Sequence, residues 1–169
     1  MTTAPERDPK RDTDYAPVEP ERISVNDVAP SLYHAYIHLE NAVQKAVDPT
    51  LYELIKTRAS QINGCAFCVD MHTKDARAKG ETEQRLYMLS AWEEAPVYTE
   101  KERAALALTE AVTLVADTHV PHDVWDEAAT VFTEEELAGV LMAIVAINGW
   151  NRIAISSRTP AGHYQPVSR

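Results

Sequence analysis

Apolar residues recur every three or four positions through most of the chain, and no segment alternates apolar with polar residues between hairpin turns. That pattern predicts an all-α fold of about seven helices. The first starts near Pro30-Ser31 and runs to about Ala46, on a stripe of Leu32, Tyr36, Leu39 and Val43 that reads as core. Asp48-Pro49 supplies an N-cap and a first-turn proline for the second helix, which carries Leu51, Leu54, Ile55, Ala59 and Ile62 at helical intervals. Asn63-Gly64 ends it, because these residue types most readily adopt the left-handed backbone of a helix C-terminus. The run Ala66 to Lys79 has no Gly or Pro and closes at Gly80, so a third helix follows at once and the pair forms an antiparallel hairpin.

Thr82 can cap a short helix with Leu86, Tyr87 and Leu89, which Glu93-Glu94-Ala95-Pro96 breaks. Thr99–Glu102 and Thr133–Glu136 both have capping-box spacing. The first predicts a helix to about Ala116. The second opens the last long helix, whose Leu137, Val140, Leu141, Ile144, Val145 and Ile147 form more than one stripe, a width that points to burial between helices or subunits. Between them, Pro121 opens a helix through Val124, Trp125 and Ala128. Residues 1–22 carry Pro5, Pro9, Pro17 and Pro20 among mixed charges and read as a tail or docking arm, with residues 23–169 as a single all-α domain.

The length of 169 residues and the 45% hydrophobic content suit one domain with a core of its own. A formal charge of −10, from 26 acidic against 16 basic residues with no local basic cluster, disfavours nucleic acid and anionic membranes as partners. The N-terminus lacks the apolar centre of a signal peptide, and the longest apolar run, Val140 to Ile147, falls short of a bilayer span. A cytoplasmic location is therefore expected. In such a reducing compartment the two cysteines are not expected to form a permanent structural disulfide, which leaves redox catalysis, metal binding or simple packing.

Both cysteines fall in one stretch, Asn63-Gly64-Cys65-Ala66-Phe67-Cys68-Val69-Asp70-Met71-His72, at the start of the third predicted helix. Unpaired N–H groups and the positive end of the macrodipole stabilise a thiolate there, and the thiolate is the reactive form of cysteine. At about 100° per residue, Cys65, Cys68 and His72 project from one face, with His72 one turn from Cys68 and better placed to exchange a proton with it. Across the hairpin, Glu53 lies about 12 Å before the turn and His72 about 10.5 Å after it, so the two stand nearly level. A carboxylate beside an imidazole orients it and raises its basicity, which makes Glu53, His72 and Cys68 a candidate relay for removing the thiol proton. Cys68 would attack a peroxide oxygen or a substrate disulfide, Cys65 would close a Cys65–Cys68 disulfide, and an external dithiol would reset the site.

The pattern Glu53, eleven residues, Cys65-x-x-Cys68, three residues, His72 resembles the alkylhydroperoxidase D-like branch of the carboxymuconolactone decarboxylase superfamily. The resemblance covers roughly Leu51 to Ala116 well and the C-terminal helices more loosely. It implies an all-α fold assembled as a homo-oligomer, a trimer or hexamer, with peroxidase or disulfide-exchange activity on a hydroperoxide or disulfide substrate. It also implies the reacting thiol at Cys68, the resolving thiol at Cys65 and the relay at Glu53 and His72. No bound cofactor or metal is implied; the reductant would be a dihydrolipoyl group, with a lipoyl domain or a peroxiredoxin as partner. One departure is Phe67, where the best-studied branch has a histidine. Its ring desolvates the site and implies weaker peroxidase turnover.

Other readings use the same residues. The cysteines can pack as small apolar groups, or join His72 and Glu53 around a zinc ion, though one helical turn is a poor frame for three ligands. A non-catalytic helical oligomer, a small-molecule binding protein or a lactone decarboxylase-related activity are the alternative functions. His34, His38, His119, His122 and His163 read as surface or cap residues; Tyr87, Trp92, Trp125 and Trp150 read as core or interface, with Trp92 near enough to the cysteine helix to wall a pocket.

Overall fold

Local capping chemistry sets most of the element boundaries in the computed structural model, which describes residues 19–166. The arm expected at residues 1–22 falls mostly outside the described residues. Within them are nine α-helices, one 3₁₀ turn and no strand. They are α1 (Val25–Val28), α2 (Pro30–Ala46), α3 (Pro49–Asn63), α4 (Ala66–Ala78), α5 (Glu83–Met88), then the 3₁₀ turn Leu89–Ala91, α6 (Glu100–Thr113), α7 (Val115–Thr118), α8 (His122–Val131) and α9 (Glu134–Ser157). The capping boxes of α6 and α9 are both formed, and Asp48 caps α3 by accepting from Thr50 N and Leu51 N.

Two single-turn helices bring the count above seven. Ser24 caps α1 by accepting from Asp27 N, a signal hidden among the polar residues before Pro30. α7 arises because the backbone breaks at Leu114 (φ −99°, ψ 32°), so α6 stops short of the expected Ala116. Thr118 Oγ1 then donates to the Ala111 carbonyl, which the break leaves free, and His119 and Val120 both take positive φ beyond it.

α9 runs ten residues past Ile147, through Gly149, to Ser157. By length and composition this helix would suffice to cross a membrane, with mean hydropathy 1.5, but here α2, α3, α4, α6 and α8 pack around it. Gly149 permits one of those contacts: a Cβ there would lie 1.8 Å from the Tyr36 hydroxyl, which donates to the Ala146 carbonyl at 2.9 Å.

The largest apolar cluster joins Leu51 and Ile55 of α3, Leu108 of α6, Ala128 of α8 and Val140 and Ile144 of α9. A second, with Leu54, Leu89, Trp92 and Leu106, covers another side of α3. Each fully buried Leu or Ile contributes about 1.5–3 kcal/mol to holding these helices together. Leu32, expected in the core, is exposed, and of the aromatic residues read as core or interface Tyr87 and Trp125 are exposed and so are not core of this chain. A third, smaller cluster seats Cys65 and Cys68 against Ala59 and Ile147, with Phe67 and Trp150 at its edge.

Candidate active site

The hairpin forms as its sequence dictates. Gly64 takes φ +70° at the end of α3, and its N–H and that of Cys65 reach back to the Gln61 and Ser60 carbonyls. Cys65 is then the N-cap of α4, with its sulfur accepting from Cys68 N–H at 3.3 Å. The two cysteines are joined by a disulfide and are 1% exposed each. The turn is held against α9 by amides: Asn63 Nδ2 donates to Asn148 Oδ1 (3.0 Å) and Asn151 Oδ1 (2.8 Å), and Asn151 Nδ2 donates to Ser60 Oγ (3.0 Å).

Glu53 and His72 meet across the hairpin, Glu53 Oε2 bonding His72 Nδ1 at 2.9 Å, with exposures of 2% and 5%. The level placement inferred from helical rise is what brings them together. On the other carboxylate oxygen, Lys79 Nζ forms an ion pair. Burial pushes the Glu53 carboxyl up, but the hydrogen bonds and charges of His72 and Lys79 outweigh it and hold the group below the ordinary carboxylate range. A bond from Nδ1 to Glu53 leaves Nε2 as the nitrogen free for proton exchange.

Asp75 completes this cluster. Potential ligand atoms of Glu53, His72 and Asp75 all lie within 4.8 Å of one another, close enough to chelate a divalent cation. Protein donors already engage both carboxylates, since Lys79 pairs with Glu53 and the Tyr164 hydroxyl donates to both Asp75 oxygens at 2.8 and 3.0 Å. Burial and the Asp75 carboxylate push the Tyr164 phenol up to about 12. Further contacts fasten this C-terminal segment to α4: Lys74 Nζ donates to Tyr164 O, and Gly162 N to Asp70 Oδ2.

A cavity of about 310 Å³ opens on the site, with Cys68, His72, Met71, Phe67, Tyr52 and Trp150 among its walls. Glu40 also lines it, as a hub for donors from two other helices. Its Oε1 accepts from Tyr52 Oη and Lys56 Nζ of α3, and its Oε2 from Trp150 Nε1 of α9 at 2.8 Å. Burial drives the Lys56 amine down from its usual value, and it raises the Tyr52 phenol, with Glu40 adding to that rise. Glu40 itself is held below the usual carboxylate range: burial opposes this, and Lys56, Tyr52 and Trp150 prevail. A second cavity, of about 320 Å³, reaches Cys65 and not Cys68.

Trp150, not Trp92, walls the pocket beside the cysteines; Trp92 packs on Leu54 and donates to Glu110. Asp75 and Lys79 were missed by sequence reasoning although they carry a readable signal, falling three and seven positions after His72, Asp75 on the same face of α4 and Lys79 as its C-cap. Lys56 likewise follows Glu53 by three. Glu40 and Trp150 carry no local signal, being 110 residues apart.

The model of the carboxymuconolactone decarboxylase family matches residues 30–111, which span α2 to most of α6. An uncharacterised protein, YdfG of Bacillus subtilis, is 43% identical over 137 residues, 80% of this chain and 93% of its own length. The crystal structure of a protein of unknown function from Agrobacterium tumefaciens, named for antioxidant defence as AhpD, superposes with a TM-score of 0.83 at 44% identity, covering 86% of this chain and all of that one. The debrominase Bmp8 shares the fold at 20% identity, with a TM-score of 0.69 over 79% of this chain and 73% of its own.

Proposed function

This chain belongs to the carboxymuconolactone decarboxylase family, in its alkylhydroperoxidase D-like branch, and on that premise we propose that it is a thiol-dependent peroxidase that cycles the Cys65–Cys68 pair. The observation that carries this reading is the Glu53–His72 pair beside a cavity whose wall is Cys68, with Cys65 already bonded to Cys68. In the reduced protein His72 takes the Cys68 proton, and Glu53 stabilises the charge the imidazole gains. The thiolate attacks the terminal oxygen of a hydroperoxide. An S–O bond forms, the O–O bond breaks, and the alcohol leaves with a proton returned through His72.

Cys65 gives its thiol proton to His72 and its thiolate attacks the sulfenic sulfur of Cys68; the S–O bond breaks, the hydroxide takes that proton and leaves as water, and the disulfide closes. Cys68 N–H, aimed at Cys65 Sγ, favours that thiolate. An external dithiol such as a dihydrolipoyl group then returns the pair to thiols. The 44%-identical protein is of unknown function, and the antioxidant-defence role its name proposes for it agrees with the same reading. Exposed Leu32, Tyr87 and Met142 supply apolar surface for the homo-oligomer we expect.

Incubation of the reduced protein with cumene hydroperoxide tests this directly. Both thiols are expected to disappear with one equivalent of peroxide, and Cys68→Ser to abolish consumption. Cys65→Ser is expected to stop at a sulfenic acid that a dimedone probe captures. Thiols that survive peroxide would overturn the reading in favour of a binding role.

A further inference from the structure

We propose that the cavity at Cys65 is the docking cleft for the reducing dithiol, so that the disulfide is opened from the side opposite to the one on which it is made. This rests on the redox reading above. The observation is that the two sulfurs have separate approaches: the cavity holding His72 and Glu53 touches Cys68 and not Cys65, while the second touches Cys65 and not Cys68. Phe67, Ala154 and Thr159 line both and form the partition.

Thiol–disulfide exchange proceeds by attack along the S–S axis, so each sulfur is open only from its outer side. A thiolate entering the second cavity can reach only Cys65. It forms a bond to Cys65 Sγ, the Cys65–Cys68 bond breaks, and Cys68 leaves as a thiolate into the wall it shares with His72. The second thiol of the reductant then attacks the reductant's own sulfur in the mixed disulfide. Cys65 departs and takes up that proton, and the dithiol leaves as a cyclic disulfide, two electrons poorer. Cys68, the sulfur that must meet peroxide next, is thus freed in the first step.

The cleft suits such a guest. At about 320 Å³ it is of small-ligand size, with Ala154 and Ile155 supplying apolar wall and an Arg158–Glu19 ion pair at its polar side. Gly64, with no side chain and open space where one would stand, and Ala66, with a single methyl group, add little bulk to the wall around Cys65. A small dithiol on an apolar arm fits these walls.

The reductive half-reaction tests the cleft alone, because it needs no hydroperoxide and its outcome stands apart from the peroxidase reading. Oxidised protein is mixed with dihydrolipoamide and its new thiols are counted over time. Ile155→Trp, at a half-exposed position, is expected to slow reduction at least about tenfold more than it slows oxidation of the pre-reduced protein by cumene hydroperoxide. Ala66→Trp, at an exposed position on the same cleft, guards against an Ile155 variant that fails to fold and is expected to behave alike. A third measurement reads the regiochemistry: oxidised protein mixed with 2-mercaptoethanol, quenched in acid and fragmented in a mass spectrometer is expected to carry the adduct on Cys65. An adduct on Cys68, or variants that reduce at the unmodified rate, would overturn the proposal.

Discussion

Replacing Glu53 with Gln keeps the shape of the side chain and removes the charge that His72 Nδ1 and Lys79 Nζ share. A hydrogen bond to a charged partner contributes about 1.5–3 kcal/mol. Here both Glu53 and His72 are within 5% of full burial, so water screens little of it. If that stabilisation is spent when the imidazole takes the Cys68 proton, its loss corresponds to a rate lower by about 10- to 150-fold. The assay is oxidation of the pre-reduced protein by excess cumene hydroperoxide at neutral pH, quenched in acid, with free thiols counted. A Glu53→Gln protein that keeps its helical circular dichroism and reacts within about threefold of the wild-type rate would refute the relay, since so small a change lies under 1 kcal/mol. The same variant reports on stability. The native Glu53 carboxyl is held below its unfolded value, so its contribution is complete above about pH 4.3 and is lost as pH falls through the native value. The stability gap between wild type and Glu53→Gln is therefore expected to narrow on acidification below about pH 4.3, as followed by urea unfolding.

Two further outcomes follow from packing. Lys56→Met strands Glu40 beside the cavity without its buried cation, at a cost of about 3–5 kcal/mol, or roughly 6–20 °C in Tm, and adding Glu40→Gln is expected to recover much of it; strictly additive losses in thermal unfolding would show the pair to be uncoupled. Gly149→Ala gains up to about 1 kcal/mol in helix propensity but drives a Cβ to 1.8 Å from the Tyr36 hydroxyl. The clash wins, and a net loss of about 1–3 kcal/mol is expected in denaturant unfolding, with a neutral result counting against the close approach.

The hairpin and its acid–imidazole pair were legible because they depend on short-range rules. A glycine in left-handed backbone fixes the turn, and equal rise on either side of it places Glu53 opposite His72. The capping boxes at Thr99 and Thr133 were legible for the same reason. The rest of the site comes from chain segments far apart. Glu40 meets Trp150 only because α2 lies along α9, a packing arrangement that no local pattern encodes. Sequence periodicity also cannot rank apolar faces, which is why Leu32 was expected inside and lies exposed, and why nothing in the sequence singled out Trp150 among the aromatic residues as the pocket wall. The break at Leu114 depends on Thr118 recapturing a carbonyl seven residues back, a contact visible only once the chain has turned.

The Glu40 hub has a bearing on which molecules the cavity at Cys68 can distinguish. Tyr52, Lys56 and Trp150 have already claimed that carboxylate, so Glu40 itself has little hydrogen-bonding capacity left to offer a visitor. A guest would find apolar wall at Phe67, Met71 and Trp150, beside the same sulfur that His72 serves. Discrimination among guests would then follow girth and length more than functional groups, leaving a catholic chemistry behind a selective door.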